Sequence, residues 1–144
     1  MGYKVAVVGA TGAVGHAILE CLNEIDFPID QIEALASSAS LGKDVSFGDD
    51  KRLKVKDLAT FDFEGFDIAL FSPGAKVSAI HAPRAAASGC VVIDNTSHFR
   101  MDPDVPLVVP EVNRHALAGF RERNIIANPN CSTIQMVAAL KPLH

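Results

Sequence analysis

Apolar residues in this chain fall into short, nearly continuous blocks, and between the blocks their spacing switches to threes and fours. The blocks are Tyr3–Val8, Gln31–Ala36, Phe66–Phe71, Cys90–Ile93 and Ile125–Ala127. Each block predicts a strand; in Tyr3–Val8 the run is nearly unbroken, the pattern of a central parallel strand buried on both faces, whereas Gln31 and Glu33 interrupt the second block. Val14, Ala17, Ile18, Cys21, Leu22 and Ile25 have helical spacing, which predicts a helix with Cys21 in the core. Lys76 to Ser88 predicts a second, Ala-rich helix that Pro83 should shorten or kink, with His81 as a surface or packing residue. Glu111–Leu117 and Ile134–Leu140 predict two more helices, and Leu107–Val109 a short strand. Strands alternating with helices predict one α/β domain over residues 1–144: a Rossmann-like, mostly parallel sheet with helices on both faces. Asp44 to Glu64 is charged and irregular, with strand candidates at Val45–Phe47 and Leu53–Val55. It reads as an exposed β excursion or surface loop without chemistry.

The turns between these elements carry the polar chemistry. The first strand runs into Gly9-Ala10-Thr11-Gly12-Ala13-Val14-Gly15 and then the first helix. Glycines in that context let a turn close tightly and let backbone approach a pyrophosphate, and a helix N-terminus supplies N–H donors to the anion. The end of the second strand, where an NAD-selective site carries a carboxylate for the ribose 2′-hydroxyl, is Ser37-Ser38-Ala39-Ser40 with Lys43 behind it. Hydroxyls and a lysine favour the 2′-phosphate of NADP, although the same residues also make an ordinary polar loop. Ser72-Pro73-Gly74 forms a second strand-to-glycine turn beside the first, at the edge where open α/β sheets bind ligands. Asp94 to Arg100 is a polar cluster at the same edge, in which Thr96, Ser97 and Arg100 suit a phosphate. In Asn128-Pro129-Asn130-Cys131-Ser132-Thr133, Pro129 ends a strand and Ser132 or Thr133 can cap the helix that follows. Cys131 then stands at a helix start, a position that favours a thiolate. Read alone, it is equally a small buried hydrophobe.

Composition narrows the class. A net charge of −4 without any Lys/Arg run argues against nucleic acid, and no apolar stretch reaches the length of a membrane span. Three separated cysteines, no CxxC pair and no signal-peptide pattern suit a cytoplasmic protein without a metal.

Taken together, VAVVGATGAVG (Val5–Gly15), SSASLGK (Ser37–Lys43), FSPGAKVS (Phe71–Ser78), VVIDNTSHFRMDPDVPLVVPEVN (Val91–Asn113) and NPNCSTIQM (Asn128–Met136) closely resemble the aspartate-semialdehyde dehydrogenases. The resemblance implies NADP-linked reductive dephosphorylation of 4-phospho-L-aspartate to L-aspartate 4-semialdehyde, in the synthesis of lysine, methionine, threonine and diaminopimelate. It implies that Cys131 is the acyl-thioester nucleophile and that Asn130 helps to place the thiol and the developing oxyanion. Arg100 would hold the substrate phosphate, with Asn95 beside it. Gly9, Thr11, Gly12, Ala13, Val14, Ser72 and Gly74 would meet the cofactor, and Ala39 and Ser40 its 2′-phosphate. Many relatives carry Arg at the position of Ala39 and a second glycine at that of Ala75. Relatives are homodimeric or larger and more than twice as long, their second domain supplying a histidine base. The chain is therefore expected to be an N-terminal nucleotide-binding half with little turnover of its own. The alternatives are N-acetyl-glutamyl-phosphate reductase, whose relatives tend to have Gly and Tyr in the places of Asn130 and Ser132, and a non-catalytic nucleotide-binding module.

Overall fold

The computed structural model describes residues 1–144. Its strands are β1 (Tyr3–Val8), β2 (Ile29–Ala36), β3 (Asp44–Phe47), β4 (Lys51–Asp57), β5 (Ile68–Phe71), β6 (Val91–Asp94) and β7 (Ile125–Ala127). The helices are α1 (Ala13–Glu24), α2 (Ala75–Ala87), α3 (Pro110–Asn113) and α4 (Cys131–Leu140). The strands form one sheet in the order β3-β4-β2-β1-β5-β6-β7, with every pairing parallel except β3–β4. From β1 the chain therefore winds one way through β2 and β4, then returns to the other side of β1 for β5, β6 and β7.

Both faces of the central strands are packed. Val5 and Val7 of β1 point into a core with Leu19 of α1 and with Ile32, Ala34, Val45, Leu53 and Val55. Their neighbours Ala6 and Val8 point the other way, into a core with Ala82, Ala85 and Ala86 of α2, Phe63, Phe71 and Cys90. The period of two between opposite faces explains why β1 has no polar residue after Lys4. No helix is long and apolar enough to cross a membrane.

Four expectations need correction. The excursion at 44–64 belongs to the sheet: β4 pairs in parallel with β2, and Val45, Leu53 and Val55 are buried. Charged residues alternate with these because one face of β4 looks outward. In α1 the buried positions are Gly15 and Leu19, flanked by half-buried Ile18 and Leu22, so Cys21 is exposed. Pro83 does not shorten α2, which runs on to Ala87. Leu107 makes only an isolated bridge to Ala127, and a 3-10 segment, Arg114–Glu122, follows the one-turn α3.

Candidate functional site

The turns after β1 and β5 meet where the winding of the sheet reverses. Ser72 N–H donates to the Val8 carbonyl at 2.9 Å, which brings the second turn against the first. A Cβ on Gly9 would lie 2.8 Å from the Ser72 carbonyl carbon, and Gly9 has φ +84°, so glycine is required there twice over. A Cβ on Gly15 would lie 2.2 Å from the Gly9 carbonyl oxygen, so this glycine lets α1 sit directly on the turn. Gly12 differs. Its φ is −85° and a Cβ would come only to 3.4 Å of the Gly9 oxygen, so the fold itself has room for a side chain. Glycine at this position keeps backbone open to something outside the chain, as a pyrophosphate requires.

Helices α1 and α2 begin at Gly12 and Gly74, and neither has a side-chain cap or an acidic residue in its first turn. Their first N–H groups and the positive ends of their dipoles are left facing the junction, where an anion would satisfy them. Two clefts open from it. The first, of about 470 Å³, lies over β1, β2 and β4 and is lined by Gly9, Thr11 and Gly12, by Ser37 and Ser38, and by Asp57, Leu58, Val77 and His81 among others. The second, of about 370 Å³, is lined by Val14, Gly74, Ala75, Asn95, Thr96, Ser97 and Arg100. Ser72 borders both. Two joined clefts on either side of β1 suit the two nucleotides of a dinucleotide bridged by its pyrophosphate.

The second cleft is held by hydrogen bonds between strand ends. Asn128, just after β7, donates through Nδ2 to Asn95 Oδ1 at 2.7 Å and through its backbone N–H to the Asp94 carbonyl at 2.8 Å. Arg100 donates from Nε to the Asn128 carbonyl at 3.0 Å and from Nη2 to the Asn95 carbonyl at 3.1 Å. Both Nη1 hydrogens and one on Nη2 are left for an anion. Buried Asp94 accepts from Thr96 Oγ1 at 2.8 Å and from Thr96 N–H at 3.1 Å, so Thr96 supports the loop.

Cys131 is the first residue of α4 and is exposed. The cap is Asn130, whose Oδ1 accepts from Ser132 N–H at 3.0 Å; neither Ser132 nor Thr133 caps the helix. Asn130 therefore fixes the turn that carries the thiol. Cys90, in contrast, is buried, and desolvation together with the Asp67 carboxylate pushes its thiol up to about 12. It is inert core.

Of the expected site residues, Gly9, Thr11, Gly12 and Ser72 gather on the first cleft, and Val14, Ser72, Gly74, Asn95 and Arg100 on the second. Ala13 opens α1 and lines neither cleft. Ser37 and Ser38 border the first cleft, whereas Ala39 and Ser40 lie further along the 3-10 turn Ser38–Ser40 and do not. Cys131 and Asn130 also lie outside both clefts, joined to the second through Asn128. Sequence reasoning gave no role to Asn128 or Asp57, and His81, expected to be a surface or packing residue, borders the first cleft. A parallel strand ending at Asp57 was the missing signal for that residue, because strand ends on this edge line the site.

Strand order reversing at two glycine turns, with two uncapped helix ends over joined clefts, defines the chain as a Rossmann-like dinucleotide-binding domain. Residues 4–120 match the family described as semialdehyde dehydrogenase, NAD binding domain, and the chain belongs to that family. Aspartate-semialdehyde dehydrogenase 2 of Vibrio cholerae is 58% identical over 142 residues, 99% of this chain and 42% of the relative. The chain thus spans less than half the length of that protein. A structure of aspartate semialdehyde dehydrogenase II from Vibrio cholerae complexed with ASA matches with a TM-score of 0.95 at 57% identity, covering 99% of this chain and 46% of the other. Aspartate semialdehyde dehydrogenase with NADP from Candida albicans matches with a TM-score of 0.74 at 28% identity, covering 99% and 47%.

Proposed function

We propose that this chain is the nucleotide-binding part of an aspartate-semialdehyde dehydrogenase, which reduces 4-phospho-L-aspartate to L-aspartate 4-semialdehyde with NADP as cofactor. One observation carries the reading: the anion-ready Arg100 is hydrogen-bonded to Asn128, three residues ahead of the exposed Cys131 on its capped helix start. A phosphate group and a thiol are thereby offered places on one sheet edge. The Cys131 thiolate attacks the acyl carbon of the acyl phosphate, the C–O bond to phosphate breaks, and a thioester remains. Arg100 holds the phosphate as it leaves, and Asn130 keeps the thiol in line. Reduced nicotinamide, when bound, supplies the hydride that converts the thioester to the aldehyde and frees the thiolate.

NADP in preference to NAD rests on the end of β2, which offers Ser37 and Ser38 to the first cleft and no carboxylate. The NADP-bound relative supports the same choice. Asp57 is the only carboxylate on that cleft, and its Oδ1 already accepts from Ala59 N–H at 3.0 Å.

Alkylation with iodoacetamide, read by peptide mass spectrometry, tests the reading. Cys131 is expected to react faster than Cys21, with Cys90 unmodified, and inorganic phosphate should slow Cys131 in the wild type but not in Arg100→Met. A Cys131 no faster than Cys21, with or without phosphate, would overturn it.

A further inference from the structure

The first cleft holds a side chain for which the chemistry above has no use. His81 stands one turn after Val77 on α2, and both border the cleft opposite Leu58 and Ala59. Its Nδ1 lies 3.0 Å from Nη2 of Arg84. A guanidinium only donates, so Nδ1 must be the acceptor and the ring proton must sit on Nε2. Arg84 is itself fixed. It donates from Nη1 to the Phe61 carbonyl at 2.8 Å and from Nη2 to the Leu58 carbonyl, and its guanidinium carbon lies 5.3 Å from the Phe63 ring centroid. One arginine therefore fastens the wall formed by Leu58 and sets the tautomer of the histidine opposite.

We propose that His81 reads the base at the adenosine end of the dinucleotide, offering Nε2–H to a purine ring nitrogen in a slot walled by Leu58 and Val77. This rests on the dinucleotide reading of the clefts. The cleft over β2 and β4 is the adenosine side, because the ribose position lies at the end of β2. Adenine is flat and uncharged and carries acceptors at N1, N3 and N7, which match an apolar slot with one neutral donor. The charged groups facing His81 are Arg84 from α2 and Asp57 from β4. Burial and then Arg84 lower its affinity for a second proton, Asp57 opposes them, and the net direction is down, so the ring stays neutral. A neutral imidazole is a poor partner for phosphate, and the uncapped ends of α1 and α2 already serve that group. Nε2 has no hydrogen-bond partner within the chain and remains free for the base.

Two measurements test this. In 15N-histidine NMR spectra of the wild-type chain, His81 is expected in the Nε2–H form. Its Nε2 signal should move on addition of NADPH and stay still with reduced nicotinamide mononucleotide, which lacks the adenosine. In fluorescence titrations His81→Phe should weaken NADPH about five- to tenfold, the effect of one lost hydrogen bond, while His81→Gln keeps a donor and stays within about threefold. The mononucleotide should bind all three proteins alike. Wild-type chain that binds NADPH with the His81 signal unmoved, and with His81→Phe as tight as wild type, would overturn the proposal and leave the dinucleotide reading intact. No saturable NADPH binding by folded wild type would overturn both.

Discussion

Arg100, Arg84 and Asn130 each spend part of their hydrogen-bonding capacity on main-chain groups: carbonyls for the two arginines, an N–H for the asparagine. For Arg100, which lines the second cleft, this anchors a guanidinium whose remaining N–H groups are open to a ligand, so less rotamer entropy is lost when the ligand arrives; Arg84 and Asn130 instead hold His81 and the turn before Cys131. Cys90 shows the opposite use of a polar atom, a thiol kept protonated by burial and by Asp67. Its ordinary value is 9.0 and its folded value about 12, so above pH 9 the unfolded chain releases a proton that the folded chain retains. The contribution of Cys90 to stability is therefore complete below pH 9 and falls by up to about 1.4 kcal/mol per pH unit toward pH 12. In urea unfolding, Cys90→Ala is expected to be less stable than wild type at pH 7, with the difference narrowing by pH 11. Parallel pH profiles would contradict this assignment. Arg100 and Cys131 stand out in the sequence because residue type and position both point to chemistry. His81 does not, because its role depends on Arg84 and on a cleft wall contributed by β4.

At the scale of elements, the glycines of the first turn separate folding from binding. Gly15→Ala must push the Gly9 carbonyl aside and is expected to cost about 1–3 kcal/mol in urea unfolding. Gly12→Ala has room and a permitted backbone, and should leave the unfolding midpoint almost unchanged. Equal losses in both variants would refute the distinction. Strands β1, β5, β6 and β7 were readable because each carries a short apolar run, and β2 because Ile32 and Ala34–Ala36 keep one within a partly polar strand. Strand β4 was readable as a strand candidate at Leu53–Val55 but not as a member of the parallel sheet, because its Lys-Arg-Leu-Lys-Val-Lys-Asp pattern records which face is buried and says nothing of which strand it pairs with. The expected α1 stripe is off centre: it runs through Val14, Ala17 and Cys21 and leaves out Leu19, which is fully buried, while the other buried position, Gly15, carries no hydrophobic signal.

Across the whole molecule the packing is uneven. The sheet between α1 and α2 is closed, whereas α4 and the 3-10 turn Lys141–Leu143 after it have no buried residue and leave Met136 56%, Leu140 52% and Leu143 83% exposed. Apolar side chains grouped at the end of the chain that carries Cys131 favour association. Light scattering is expected to show mass rising with concentration, and Met136→Glu with Leu140→Lys should reduce it. A concentration-independent monomer in the wild type would contradict this. The central claim, a nicotinamide dinucleotide bound across the reversal point of the sheet, is tested most directly by calorimetric titration of NADPH into wild-type chain and Gly12→Ala. Saturable one-to-one binding by the wild type, at least tenfold weaker in Gly12→Ala at unchanged stability, is the expected result. Absence of saturable binding by folded wild type, or equal affinity in the two proteins, would contradict it.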